Sequence, residues 1–190
     1  CRAALANSQR VLKLWDELDP EADLPIFHTR FGIHTAEVAV GHFGSEERLY
    51  YGAIGDGINL TSRLEGLNKH YGTIIIVSET ARAQVGAEFR FRKLDRVAVK
   101  GKEIPVEIYE LLGEPATVDA DPDLMSRVRR FELALDHYFA GSWTEALSRF
   151  TELHTDWPTD EPTRLMAERC GVYAASPPAD WRGVHRMDQK

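Results

Sequence analysis

Cysteine is nearly absent from this chain, which has 190 residues and only Cys1 and Cys170. Two cysteines make neither a disulfide framework nor a thiolate metal cluster, so a reducing, cytoplasmic setting is expected. Long apolar runs are missing as well. None approaches the roughly 18 residues that a bilayer crossing needs, so membrane attachment is expected only through a segment further upstream. A basic excess is also lacking: Lys and Arg total 23 against 30 Asp and Glu, for a net charge of −7. That balance excludes sequence-independent grip on a nucleic-acid backbone, and no nucleic-acid partner is expected. It does not exclude nucleotides, because a few placed cations can hold one triphosphate. The GxxxxGK[ST] and HExxH patterns are absent too. The first residue is Cys rather than Met and leads straight into a helical pattern, as in a piece of a longer protein.

What is present is ordered by glycine and proline. Ten of the 14 glycines lie between Gly32 and Gly101, and six of the nine prolines follow Gly113. The stretch GEPATVDADP (114–122 with Gly113 before it) has no apolar periodicity and reads as a linker. The expected division is therefore 1–113, a linker at 114–122, and 123–190. Ala4, Leu5, Val11, Leu12 and Trp15 predict an opening helix. Phe27, Phe31 and Ile33 then fall on odd positions, Val38 and Val40 on even ones, so one flat strand is excluded. Two strands joined by a tight turn near His34–Glu37 are expected, with a third at Leu49–Ile54. Ile58, Leu60, Leu64 and Leu67 predict a helix that Gly72 ends. A buried strand (74–77), a helix capped by Ser78 and two hairpin strands around KGKEIP follow. Strands and helices in this order predict an α/β or α+β domain with a mixed sheet. Beyond the linker, LMSRVRRFELALDHYFAG and SWTEALSRFTELH form a helix pair. Gly141, Ala146 and Phe150 echo a tetratricopeptide hairpin, but one hairpin cannot stack into a solenoid. A capping helix and a Pro-rich tail end the chain.

Asn59 and Arg63 stand at i and i+4, so they share a helix face away from the leucines. An amide beside a guanidinium can orient a hydroxyl and balance charge developing on a phosphate. A solvated polar stripe has the same spacing. Lys100 and Lys102 flank Gly101 in a hairpin turn and can reach a phosphate as point charges; solubility alone also favours Lys there. The seven histidines form no ligand pattern, and His28 and His34 read as ordinary surface or core residues.

Taken in order, RFGIHTAEVAVGHFGSEERLYYGAIGDGINLTSRLEGLNKHYGT, IIIVSET and FRKLDRVAVKGKEIPVEIYEL resemble the catalytic domain of class III adenylyl and guanylyl cyclases. The resemblance runs over about residues 27–112. It implies a ferredoxin-like mixed sheet with flanking helices, a homodimer, and attack of a ribose 3′-hydroxyl on the α-phosphate of ATP, or less favourably GTP. Asn59 matches the ribose-orienting asparagine, Arg63 the arginine that stabilises the transition state, and Lys100 the lysine on the terminal phosphates. Glu37 and Asp56 match family positions that do not bind metal. The family's two Mg²⁺ or Mn²⁺ ions are held by aspartates upstream of the opening helix, so this stretch alone is expected to be inactive. Gly52, with Ala53 beside it, occupies the purine-reading position; without a side chain there, base choice is open.

Two further functions stay in view. A degenerate cyclase could bind or sense nucleotides without turnover, which Gly52 and Ala36 favour. An interaction protein could work through the C-terminal helices.

Overall fold

The computed structural model describes residues 1–17, 29–45, 48–98 and 105–187. Helix α1 (Arg2–Glu17) comes first, then β1 (Phe31–Ile33), β2 (Ala39–Ser45), β3 (Arg48–Ile54) and α2 (Asp56–Tyr71). Next are β4 (Ile75–Ser78), α3 (Glu79–Val85), β5 (Arg90–Ala98) and β6 (Val106–Gly113). A short α4 (Pro115–Val118) leads into α5 (Pro122–Phe139), α6 (Trp143–Asp156), α7 (Glu161–Ala175) and β7 (His185–Arg186). The main sheet has the order β1-β4-β6-β5-β7, with parallel pairs at both edges and antiparallel pairs between. This is the expected α+β class: a mixed sheet flanked by helices, with a helical tail.

Strand β4 shows how the layers form. Its side chains alternate between faces, and all four residues are buried. Ile76 joins Leu60, Leu64, Leu67 and Tyr71 of α2 on one face. Ile75 and Val77 join Ala4 of α1 and Ala81 of α3 on the other. Burying each α2 leucine is worth on the order of 1.5–3 kcal/mol. Helix α2 ends where Gly72 takes the left-handed conformation, φ 67°, that a C-terminal cap requires. Asp56 in its first turn and Lys69 and His70 in its last suit the helix dipole.

Gly32 of β1 permits the closest approach between sheet and helix. A Cβ there would lie 2.4 Å from the Thr61 carbonyl oxygen and 2.5 Å from the Glu65 nitrogen. Asn68, fully buried, donates to the Phe31 carbonyl at 2.9 Å and accepts from the Thr73 hydroxyl at 2.9 Å. Helix α2 is thus tied to β1 along its length.

Three local expectations are revised. The parity change after Ala36 marks a change of sheet rather than a hairpin: β1 pairs with β4, while β2 pairs with β3 in a separate ribbon. Phe27, on which part of that pattern rested, lies outside the described residues. Ile58 is exposed instead of joining the leucine face, since it sits about 200° around the helix from Leu60. The Pro-rich tail returns as β7, parallel to β5. Periodicity gave no sign of so short a strand, because its partner lies far away in sequence.

The stretch 114–122 carries α4, with Val118 buried and Asp119 paired to Arg90 at 2.7 Å. Helices α5 to α7 build their own core from Phe131, Leu135, Tyr138, Ala146, Phe150 and Met166. Ala146 and Phe150, singled out by their spacing, are fully buried in it.

Candidate active site

Asn59 and Arg63 both lie on α2, where Leu60, Leu64 and Leu67 claim the opposite face for the core. Asn59 is exposed and Arg63 half-buried. Among the described residues no carboxylate is paired with Arg63. That contrasts with Arg90, Arg92, Arg96, Arg164 and Arg169, each matched to an acid. The two side chains of α2 are therefore presented together, and the guanidinium is available to an external anion.

The ribbon adjoins this helix through Gly55. Gly52 of β3 stands opposite Gly41 of β2, and a Cβ at either would meet nothing within 4 Å. Ala53, opposite Val40, is exposed. A strip without side chains thus lies next to the N-terminal end of the helix that bears Asn59 and Arg63. Such a strip can accept a flat ring without a steric contest. Around it the ribbon is apolar and open, with Tyr51 73% and Leu49 61% exposed.

Lys100, with Gly101 and Lys102, lies outside the described residues. His34 is a structural residue: its Nδ1 lies 2.8 Å from the Ser78 hydroxyl, which caps α3, and 3.1 Å from the Thr80 hydroxyl. A separate surface cleft of about 330 Å³ is lined by Arg82, Gly86, Phe89 and Arg90. Its two cations are already committed, Arg82 to Glu79 and Arg90 to Asp119.

A divalent metal needs converging acidic or imidazole ligands, and among the described residues no group of three or more His, Cys, Asp or Glu provides them. The described residues alone thus make no metal centre. No helix of the described residues is long and apolar enough to cross a membrane.

A buried ionic layer, unforeseen from residue spacing, joins β5 to α2 and α7. Asp95 of β5 is fully buried and accepts from the Tyr71 hydroxyl at 2.6 Å, from the Arg96 amide at 2.7 Å and from the Arg169 guanidinium. Burial, then Asp95, pushes the Tyr71 phenol well above its ordinary value. Burial pulls the Arg169 guanidinium down, but Asp95 and the two tyrosines outweigh it and hold it well above its ordinary value. A second buried cation, Arg92, reaches Glu110 at 2.6 Å and Asp160 at 2.8 Å, between the rings of Phe131 and Trp157.

Helix α2 of this α+β domain thus presents Asn59 and Arg63 next to the bare Gly41–Gly52 strip. The family description for the adenylate and guanylate cyclase catalytic domain matches residues 10–113, more than half of the chain, and the chain belongs to that family. It is 44% identical over 113 residues to adenylate cyclase 1 of Rhizobium meliloti, a match covering 60% of this chain and 17% of that protein. It is 35% identical over 146 residues to the terminal-differentiation-specific adenylate cyclase of Dictyostelium discoideum, covering 75% of this chain and 7% of the relative. The matched region is thus a small part of these relatives' length. Among solved structures, the adenylyl cyclase CyaB from P. aeruginosa aligns with a TM-score of 0.50 at 27% identity, covering 58% of this chain and 55% of that one. A bacterial light-regulated adenylyl cyclase aligns at 0.52 with 20% identity, covering 58% and 32%, and shares the fold.

Proposed function

We propose that this chain carries part of the catalytic domain of a nucleotidyl cyclase that converts ATP, with GTP second, to the 3′,5′-cyclic nucleotide and pyrophosphate. The observation that carries this is the placement of Asn59 and Arg63 on one face of α2, with no carboxylate of the described residues matched to Arg63, next to the bare Gly41–Gly52 strip. The Asn59 amide orients the ribose so that its 3′-oxygen faces the α-phosphate. The Arg63 guanidinium takes up the charge that grows on the phosphate oxygens as the new P–O bond forms and pyrophosphate leaves. Lys100 holds the terminal phosphates as a point charge. Gly52 and Ala53 receive the base. The names of the relatives, all adenylate cyclases, support ATP.

The metal ligands are expected in a region upstream, and Mg²⁺ or Mn²⁺ would there supply charge stabilisation for the attacking and leaving oxygens. The stretch 1–190 by itself should then make no product. The exposed apolar ribbon supports a homodimer built through the cyclase domain, since a patch of this kind on a soluble chain marks an interface. The family match ending at residue 113 supports a cyclase part over 1–113 and an extension over 123–190.

The test is cyclic-nucleotide production by the full-length protein, given ATP and GTP separately with Mn²⁺. Cyclic AMP as the main product is the expected result. A folded dimer that binds nucleotide but yields no cyclic product would transfer the chain to the non-catalytic, nucleotide-sensing class.

A further inference from the structure

We propose that the C-terminal helices brace the helix that bears Asn59 and Arg63, and that Arg169 is the positioning residue through which they act. The inference rests on the cyclase reading above and names a regulator of that same site.

Arg169, Leu165 and Glu161 of α7 each reach α2, its C-terminal cap or a residue bound to it. Arg169 pairs with Asp95, and Asp95 in turn receives the hydroxyl of Tyr71, the last residue of α2. Arg169 also lies 3.4 Å from the His70 Nε2 and 3.4 Å from the Tyr138 hydroxyl of α5. Leu165 packs against the cluster that contains Leu60, Leu64 and Leu67. Glu161 abuts Gly72, so close that a Cβ on Gly72 would collide with its side chain.

The carboxylate at the centre of this arrangement is placed by an irregularity. The pairing of β5 with β6 shifts register between Lys93 and Asp95, which turns Asp95 toward the core beside Leu94. Asp95 then answers one group from its own strand, one from α2 and one from α7. A buried carboxylate is tolerated only with such partners, so the three elements are held in one arrangement.

Arg63 lies eight residues before Tyr71, about 12 Å along the same helix axis. A helix is stiff over that distance, so an anchor on its last turn sets the tilt and rotation of the turns that carry Asn59 and Arg63. Transition-state stabilisation depends on placement to within about 0.5 Å, whereas a mobile anchor would leave nucleotide binding largely intact. Loosening the brace should therefore lower kcat and spare KM.

The experiment compares Tyr71→Phe, Arg169→Lys and Arg169→Leu in the full-length protein. Two readouts are taken: kcat and KM for the cyclic product, and amide hydrogen exchange over residues 60–72. Tyr71→Phe keeps the buried ring and removes only the hydroxyl, so it tests the link even if Arg169→Leu fails to fold. The expected result for Tyr71→Phe is about tenfold lower kcat, KM within about twofold, and about tenfold faster exchange confined to α2. Arg169→Lys, which keeps the charge but not the fork, should fall between wild type and Arg169→Leu. Unchanged kcat and unchanged α2 exchange in folded Tyr71→Phe would overturn the brace. So would exchange that rises equally throughout the chain. If the wild-type protein makes no cyclic nucleotide, the catalytic reading fails, while faster exchange confined to α2 still supports the brace.

Discussion

Arg92 and Asp160, 68 residues apart in sequence, meet at 2.8 Å with both side chains almost fully buried. Asp160 has a second task as the N-cap of α7, accepting from the Thr163 amide at 3.1 Å. One carboxylate thus fixes the start of α7 and neutralises a cation of β5. The two tasks differ in size: a cap contributes about 1 kcal/mol, whereas breaking a buried pair costs about 3–5 kcal/mol.

Replacement separates them. Asp160→Ser keeps a capping oxygen and removes the charge, and Asp160→Ala removes both. If the ion pair dominates, urea unfolding should place both variants several kcal/mol below wild type and within about 1 kcal/mol of each other. A serine variant close to wild type would assign the stabilisation to the cap.

Two glycines should respond in opposite ways. A methyl at Gly32 meets backbone atoms of α2 on contact, so Gly32→Ala must push β1 and α2 apart, at a cost of about 1–3 kcal/mol. A methyl at Gly52 meets nothing, and Gly52→Ala should leave the melting temperature unchanged or raise it. Gly52→Thr should also fold normally while changing the ratio of ATP to GTP turnover. Equal ratios in wild type and variant would remove Gly52 from the base site.

Acid should weaken the fold in two separable stages. Burial, aided by the Arg169 charge, lowers the His70 pKa below its ordinary 6.5. The unfolded chain then binds the proton more readily, so stability falls once the pH drops below about 6.5. The groups facing His70 are Arg169, Asp95 and Tyr71. Burial raises the Glu107 pKa, but hydrogen bonds from Lys93, Arg96 and Tyr109 outweigh it and bring the carboxyl down from 4.5 to about 2. Its contribution is complete above pH 4.5 and is lost as the pH falls toward 2. In pH-dependent unfolding, His70→Gln should flatten the first stage only and Glu107→Gln the second only.

The open ribbon predicts self-association. A charge at Leu49, as in Leu49→Glu, is harmless to a chain whose residue 49 is 61% exposed, yet it would be buried in a dimer formed there. Sedimentation should show a weaker dimer with unchanged secondary structure. A variant that dimerises as well as wild type would move the interface elsewhere.

Helix α2 was legible in the sequence because its leucines, its capping Gly72 and the Asn59–Arg63 spacing all report the same period. The α3 cap at Ser78 and the hairpin of β5 and β6 were legible for the same local reasons. Arg92, Asp95 and Arg169 were not. A charged residue among apolar neighbours reads as a solvent-facing position unless its partner is known, and these partners stand 68 and 74 residues away. The β5 register shift hid Asp95 further, because it breaks the alternation by which inward positions are recognised. The separation of β1 from β2 was missed because parity alone does not tell a turn from a change of sheet.

If Arg63 stabilises charge on a reacting phosphate, Arg63→Ala in the full-length protein must slow turnover without loosening nucleotide binding. Side by side with wild type, kcat for cyclic nucleotide and the Kd of the nucleotide would be measured. Loss of a transition-state donor predicts a fall in kcat of about 10²–10³ with Kd little changed. Full turnover by Arg63→Ala would show that this guanidinium has no such role.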